Sequence, residues 1–177
     1  AGLPYTLSTV ACQTPESIGP HVDGKGWFQL YAPRAIDVRK DTLKRVRDSG
    51  FRTLVVTLDV PVASRRERQT RSGLTHPPAL TPRLLAQIAM RPSWALGMAR
   101  AGRPGMPLIA SYTQPKIGLP TTAHIGYLIR TAPDWEYLHW IREAWDGPLV
   151  VKGVLQVDEV AGLKAAGVDA LWVSNHA

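Results

Sequence analysis

Cysteine is almost absent from this sequence, because Cys12 carries the single thiol among 177 residues. An intrachain disulfide is therefore excluded, which favours a protein of the reducing cytoplasm. The longest uncharged apolar run lies around residues 84–90, far short of the roughly 20 residues that a membrane-spanning helix needs. No basic and then apolar leader follows Ala1, so the sequence shows no signal peptide.

Several ligand-binding motifs are also missing. His176 has no second histidine at the H-x-x-x-H spacing and Cys12 stands alone, so we expect no metal site. The chain contains no P-loop and no G-x-G-x-x-G after its first predicted strand. These absences argue against a zinc enzyme, a P-loop nucleotide-binding protein and a dinucleotide-binding sheet of the Rossmann type.

Acidic residues are scarce in one part of the chain. Between Val60 and Pro133 there are ten Lys and Arg residues but a single acid, Glu67, whereas the whole chain has a net charge of +7. The basic character therefore belongs to one segment and predicts an anionic partner for that segment.

Five apolar stretches predict β-strands that are buried on both faces. They are Pro4–Ser8, Trp27–Tyr31, Thr53–Asp59, Leu149–Lys152 and Ala170–Ser174. Helical patterns separate them. The first predicted helix is capped by Asp37, faces the sheet with Val38, Leu43 and Val46, and ends at Gly50. A second begins after Asp134, with Trp135, Leu138, Ile141 and Trp145 as a core stripe, and a third ends at Gly167.

Strands that alternate with helices predict a parallel α/β sheet. An open doubly wound sheet and a closed (β/α)8 barrel both fit this order. The missing G-x-G-x-x-G favours the barrel. The segment of about 67–132 interrupts the alternation, and no linker divides the chain, so residues 1–177 are interpreted as a single domain with an internal insertion.

Polar residues end every predicted strand. They are Ser8 and Thr9, Gln29 and Tyr31, Thr57 and Asp59, Lys152, and Ser174 with Asn175 and His176. Parallel strands bring their carboxyl ends to one face, which in a barrel holds the active site. Strand-terminal hydrogen bonds to loops would explain any one of these residues, but five sets favour a functional surface.

The chemistry of this set is informative. A histidine with an aspartate can act as a general base, and the Arg65–Arg66 pair with Tyr31 suits a small anion carrying a hydroxyl or carbonyl group. Lys152 offers a fixed positive charge to an anion formed on a substrate or cofactor. The residues thus indicate base-assisted oxidation or enolisation of a small anion beside a cofactor.

The stretches TLST, WFQLY, LTLDVPVASRRE, LVVKG and VSNH occur in this order along the chain. Together they resemble the FMN-dependent L-2-hydroxy acid dehydrogenases and oxidases, a family that includes L-lactate dehydrogenase, mandelate dehydrogenase and glycolate oxidase. The resemblance implies a partial (β/α)8 TIM barrel, about strands 2 to 6, with the basic insertion after the fourth barrel strand. It also implies FMN as cofactor and an L-2-hydroxy acid as substrate.

The resemblance assigns a role to each candidate residue. Ser8, Gln29, Thr57 and Lys152 would contact the FMN ring system, and Ser174 would lie near it. Tyr31 and Arg66 would hold the substrate, His176 would be the base, and Asp59 would orient His176. The family pattern continues after its histidine with an arginine that clamps the substrate carboxylate. We therefore expect this chain to be an internal piece of a barrel that is inactive alone.

The basic insertion has two predicted helices with Arg at their borders, the first capped by Thr81 before Pro82 and the second containing Trp94 and Met98. Apolar faces bordered by arginine suit a peripheral contact of residues 74–107 with an anionic membrane, such as the inner face of the cell membrane. A lid over the site or a subunit contact is the alternative. We expect no nucleic acid partner, since no recognition helix or stacking sheet is evident.

Three functions remain open from the residues and the resemblance. The first is an FMN-dependent dehydrogenase, less readily an oxidase, that passes electrons to a quinone or another respiratory acceptor and assembles as a homo-oligomer, a tetramer at full length. The second is an FMN-barrel isomerase of the isopentenyl diphosphate type, whose diphosphate would need more basic strand ends. The third is a non-catalytic truncated barrel that acts through its basic surface.

Overall fold

A computed structural model describes residues 3–60, 71, 81–102, 104–113, 129 and 131–175. Its strands are β1 (Tyr5–Ser8), β2 (Gly26–Tyr31), β3 (Thr53–Thr57), β4 (Leu149–Lys152) and β5 (Ala170–Trp172). Its helices are α1 (Pro15–Ile18), α2 (Ile36–Asp48), α3 (Pro82–Ala89), α4 (Pro92–Ala101), α5 (Pro107–Ala110), α6 (Trp135–Ala144) and α7 (Glu159–Ala165), with a short 3-10 turn at Gly19–His21. The five predicted strands are confirmed, although the third and fifth end two residues earlier than expected.

All five strands are parallel and follow one another in the sheet in the order β1-β2-β3-β4-β5. A doubly wound sheet would reverse its strand order at a switch point, whereas consecutive barrel strands pair in sequence. The predicted α/β class is confirmed, and the strand order is that of a partial barrel.

The two faces of the sheet differ sharply. Side chains two residues apart share a face, so one face collects the apolar residues Leu7, Phe28, Leu30, Leu54, Val56, Leu149 and Val151 of β1 to β4. That face packs against Leu43 and Val46 of α2, Ile141 of α6 and Leu163 of α7 to form the main core. The opposite face carries the polar side chains, and this division places the chemistry away from the helices.

Helix boundaries follow local chemistry. The Asp134 carboxylate accepts a hydrogen bond from the Tyr137 N–H at 2.8 Å and caps α6 as predicted. Gly50 and Gly167, with φ of 84° and 80°, follow α2 and α7 and supply the left-handed residue expected there. Thr81 caps α3 in the predicted way, since its hydroxyl accepts from the Leu84 N–H at 3.2 Å.

Two details of the predicted helices were wrong. Asp37 does not cap α2, because the helix begins at Ile36 after Ala35 and Asp37 lies in its first turn, where its charge still favours the helix dipole. Trp135 does not join the core with Leu138, Ile141 and Trp145, because its side chain is 47% exposed at the start of α6. The core interpretation holds for the other three members of the stripe.

The segment between β3 and α6 contains α3, α4 and α5. No residue of α3 or α4 is buried, whereas Leu108 and Ile109 of α5 are. Within the part of the chain that the structure describes, none of the helices has the length and apolar character that a membrane span requires.

Candidate active site

The site begins with a chain of hydrogen bonds across β1, β2 and β3. The Ser8 hydroxyl donates to Gln29 Oε1 at 2.6 Å, and Gln29 Nε2 donates to the Thr57 hydroxyl at 2.7 Å. Gln29 and Thr57 are both buried. These bonds fix the orientation of the Gln29 amide, with Oε1 towards Ser8 and Nε2 towards Thr57. The three strands therefore present one ordered row of donors and acceptors.

A second cluster continues this row onto β4. Lys152 is the register partner of Thr57, and its ammonium donates to the Ser174 hydroxyl at 2.9 Å. Lys152 Nζ lies 3.8 Å from Asp59 Oδ2, in a pair whose side chains are only 17% and 4% exposed. Water screens such a buried pair poorly, so the Lys152 ammonium and the Asp59 carboxylate attract each other strongly.

Tyr31 lies at the carboxyl end of β2, opposite Thr57 in the register. Its ring is half-buried on the polar face of the sheet. Its N–H donates to the Thr9 hydroxyl at 3.2 Å. The structure thus brings together Ser8, Gln29, Thr57, Lys152 and Ser174, with Tyr31 and Asp59 beside them.

Two predicted site residues, Arg66 and His176, lie outside the described residues. The predicted interaction of Asp59 with His176 and the predicted substrate contact of Arg66 therefore remain predictions. The same holds for part of the proposed membrane segment, since the described part of residues 74–107 is 81–102 and 104–107.

Two residues to which the sequence assigned no specific role support the site. The buried Thr9 hydroxyl donates to the Gln29 carbonyl at 2.7 Å while it accepts from Tyr31, so it holds the end of β2. Gly153 has φ of 96°, and a Cβ on it would lie 2.4 Å from Asp59 Cγ. A glycine directly after a strand-final lysine was the available signal for Gly153, whereas nothing in the sequence distinguishes Thr9 from Ser8.

The residues present fit a planar cofactor with a polar edge. The row formed by Ser8, Gln29 and Thr57 supplies neutral hydrogen-bonding groups, as the nitrogen and oxygen edge of a heterocycle requires. Lys152 adds a fixed positive charge at one end of the row. Polar side chains gathered at the carboxyl ends of parallel strands are the arrangement in which (β/α)8 barrels place their active sites.

The family follows from comparison with known proteins. The model of the FMN-dependent dehydrogenase family matches residues 1–177, so this chain belongs to that family. The L-lactate dehydrogenase of Pseudomonas entomophila is 37% identical over 179 residues, covering 99% of this chain and 46% of that protein. The L-lactate dehydrogenase of Acinetobacter baylyi is 37% identical over 177 residues, with the same coverage.

Solved structures agree with this assignment. The crystal structure of the monotopic membrane protein (S)-mandelate dehydrogenase superposes with a TM-score of 0.87 at 29% identity, covering 99% of this chain and 47% of that one. A soluble mutant of the membrane-associated (S)-mandelate dehydrogenase from Pseudomonas putida gives 0.72 at 27% identity, covering 99% and 43%. The chain spans about half the length of the curated relatives it matches.

Proposed function

We propose that this chain forms part of an FMN-dependent dehydrogenase that oxidises a small L-2-hydroxy acid, lactate-like or mandelate-like, to the 2-oxo acid. The row of Ser8, Gln29 and Thr57 beside Lys152 is the observation that carries this proposal. The names of the curated relatives support the substrate class and favour a dehydrogenase over an oxidase. FMN, when bound, supplies the two-electron acceptor for this oxidation.

The residues of this chain have separate roles in binding the flavin and stabilising its charge. Ser8, Gln29 and Thr57 bind and orient the polar edge of the flavin, and Lys152 places a positive charge where negative charge develops. Ser174, which accepts a hydrogen bond from Lys152, holds that ammonium in place. These five residues are linked by hydrogen bonds and by the pairing of neighbouring strands.

The other candidate residues bind the substrate and remove its proton. Tyr31 donates a hydrogen bond to the substrate, and Arg66 pairs with its carboxylate in the geometry that arginine favours. His176 accepts a proton from the substrate, at C2 or at the hydroxyl. Asp59, held buried beside Gly153, orients the imidazole and stabilises its charged form.

Replacement of Lys152 in the full gene product tests this function. Anaerobic L-lactate or (S)-mandelate should bleach the flavin absorbance of the purified protein. K152M should slow that bleaching by about a hundredfold, because one preorganised electrostatic contact is worth about this much. The matched control is K164M, because Lys164 is exposed on α7 and should leave the rate unchanged. Protein that binds no FMN, or K152M with the wild-type rate, would contradict the proposal.

We propose a second role for residues 81–102, which we call the basic helix pair: contact with an anionic lipid surface. Its exposed apolar residues are Leu85, Met90, Trp94 and Leu96. Arg83, Arg91 and Arg100 border them, and residues 81–102 contain no acid. Tryptophan and aliphatic side chains enter the headgroup boundary while each arginine adds about 1 kcal/mol of attraction to anionic lipid. The description of an (S)-mandelate dehydrogenase as monotopic supports this role.

Vesicle sedimentation tests the membrane contact. The full gene product should pellet with vesicles that contain phosphatidylglycerol, and R91E/W94S should remain in the supernatant while it retains flavin. The control W135S changes a comparably exposed tryptophan outside the pair and should still pellet. Equal pelleting of R91E/W94S would overturn the membrane role. A change in its oligomeric state instead would assign the pair to a subunit contact.

Membrane contact would also place the enzyme close to a respiratory electron acceptor. A dehydrogenase held at the inner face of the cell membrane can pass electrons to a quinone or another respiratory acceptor. We further propose that the full gene product is a homo-oligomer, a tetramer, in the cytoplasm or on that membrane face. Reduction of a soluble quinone analogue by the substrate-reduced enzyme tests the first proposal, and the mass in solution tests the second.

A further inference from the structure

The chain that follows the basic helix pair is buried, unlike the pair itself. Leu108 and Ile109 of α5 are 1% and 2% exposed, whereas no residue of α3 or α4 is buried. Leu108 packs into the main core under the helices. The insertion therefore returns to the body of the protein at α5.

Hydrogen bonds hold this return segment on α2. The Tyr112 hydroxyl donates to Asp41 Oδ2 at 2.6 Å and accepts from Thr42 at 3.3 Å and from Arg45 at 3.2 Å. Arg45 also donates to the Ser111 hydroxyl at 3.0 Å. Tyr112 and Ser111 directly follow α5, so these bonds fix the position of Ile109 relative to the sheet.

Ile109 does not join the main core. Together with Ile129 it forms a separate apolar cluster, against which Val10, Met106 and Tyr31 pack. Three of these residues, Met106, Ile109 and Ile129, belong to the insertion. The insertion thus supplies most of the apolar cluster in which the candidate substrate tyrosine lies.

We infer that Ile109, together with Ile129, is a positioning residue for Tyr31, so that the insertion sets where the substrate hydroxyl donor points. This inference rests on the proposed oxidation of hydroxy acids. The backbone of Tyr31 is fixed by pairing with β3 and by the Thr9 hydroxyl. The direction of its ring also depends on the side chains packed against it, because the backbone leaves more than one rotamer open. Removing Ile109 atoms leaves a cavity into which the ring can turn.

Steady-state kinetics of Ile109 variants in the full gene product test this inference. I109A should raise KM for L-lactate or (S)-mandelate about tenfold, while FMN affinity stays within twofold because the flavin row is untouched. I109V keeps most of the contact and should stay within threefold of wild type. L163A is the matched control, since it removes a buried residue of the main core on α7, away from the cluster, and should leave KM unchanged.

A double-mutant cycle shows whether Ile109 acts through Tyr31. In a Y31F background, in which the substrate-facing hydroxyl is gone, I109A should raise KM by less than twofold. An unchanged KM in I109A, or an equal increase in both backgrounds, would overturn the inference. If I109A does not fold, M106A changes the same cluster at a half-buried position and should raise KM about threefold; no rise would overturn the inference. A wild-type protein that oxidises no hydroxy acid would instead refute the proposed function.

Discussion

The parallel sheet and the basic helix pair use apolar residues in opposite ways. In the sheet, Leu54, Val56 and Leu149 are completely buried against helices. In the helix pair, Leu85, Met90 and Trp94 are at least half exposed. Hydrophobic content alone therefore does not distinguish a residue that stabilises the fold from one that offers a surface. The first region holds Ser8, Gln29, Thr57 and Lys152 in place, and the second exposes apolar area.

The largest expected difference between these regions is in stability. L54A should lower the free energy of unfolding of the full gene product by about 2–5 kcal/mol, because it leaves a cavity at a fully buried strand position. W94A should change it by no more than about 0.5 kcal/mol, because Trp94 is 54% exposed. Denaturant titration of both variants measures the contrast, and equal losses would show that the helix pair is packed in solution.

Replacing one glycine in each region by alanine should also change stability in opposite directions. G153A should lose about 1–3 kcal/mol, because the residue has φ of 96° and its Cβ would displace Asp59. G97A, in the interior of α4 with nothing within 4 Å of its Cβ, should gain up to about 1 kcal/mol through helix propensity. Thermal unfolding of the two variants in the full gene product measures both changes. A G97A variant as unstable as G153A would contradict the open surroundings of α4.

The smallest expected effect concerns pH. The Arg45 guanidinium, bonded to both Glu16 oxygens at 2.6 and 3.2 Å, lowers the pKa of Glu16 from its ordinary 4.5 to about 2. A lowered folded-state pKa stabilises the protein above pH 4.5, and this stabilisation is lost as the pH falls from 4.5 towards 2. Because Glu16 is about half exposed, we expect only about 0.5–1 kcal/mol.

Comparison of wild type with E16Q measures this effect. The difference between their unfolding free energies should shrink as the pH falls from 5 to 2.5. The basic helix pair contains no acid and adds nothing to that difference. A difference that stays constant across this range would show that the ion pair contributes no pH-dependent stability.

Much of the fold could be predicted because its determinants are local. Apolar runs located all five strands, and Thr81, Asp134 and Gly167 marked helix ends through interactions with their own neighbours. Asp37 and Trp135 were misassigned for related reasons. An acid can serve in the first turn as well as at the cap, and a helical stripe does not reveal where the core ends.

The candidate site was less accessible from the sequence. Residue types at strand ends indicated polar chemistry, but not that Gln29 would bond to Ser8 on one side and Thr57 on the other. The contact of Tyr31 with the cluster of Ile109 and Ile129 joins residues far apart in the chain, and no periodicity encodes it. Such contacts depend on tertiary packing, which a local pattern does not contain.

The double hydrogen bond of Thr9 has a consequence for the accuracy of folding. Its hydroxyl bridges the Gln29 carbonyl and the Tyr31 N–H, a pair of groups available to it only when Ser8 lies opposite Gln29. Because β2 is also paired with β3, a slip of one residue between β1 and β2 would reverse β1, turning Leu7 towards the flavin and Ser8 towards the helices. Thr9 therefore favours the correct register of β1 and β2. A protein with the wrong register would still be compact, but its polar side chains would not form the row that faces the flavin.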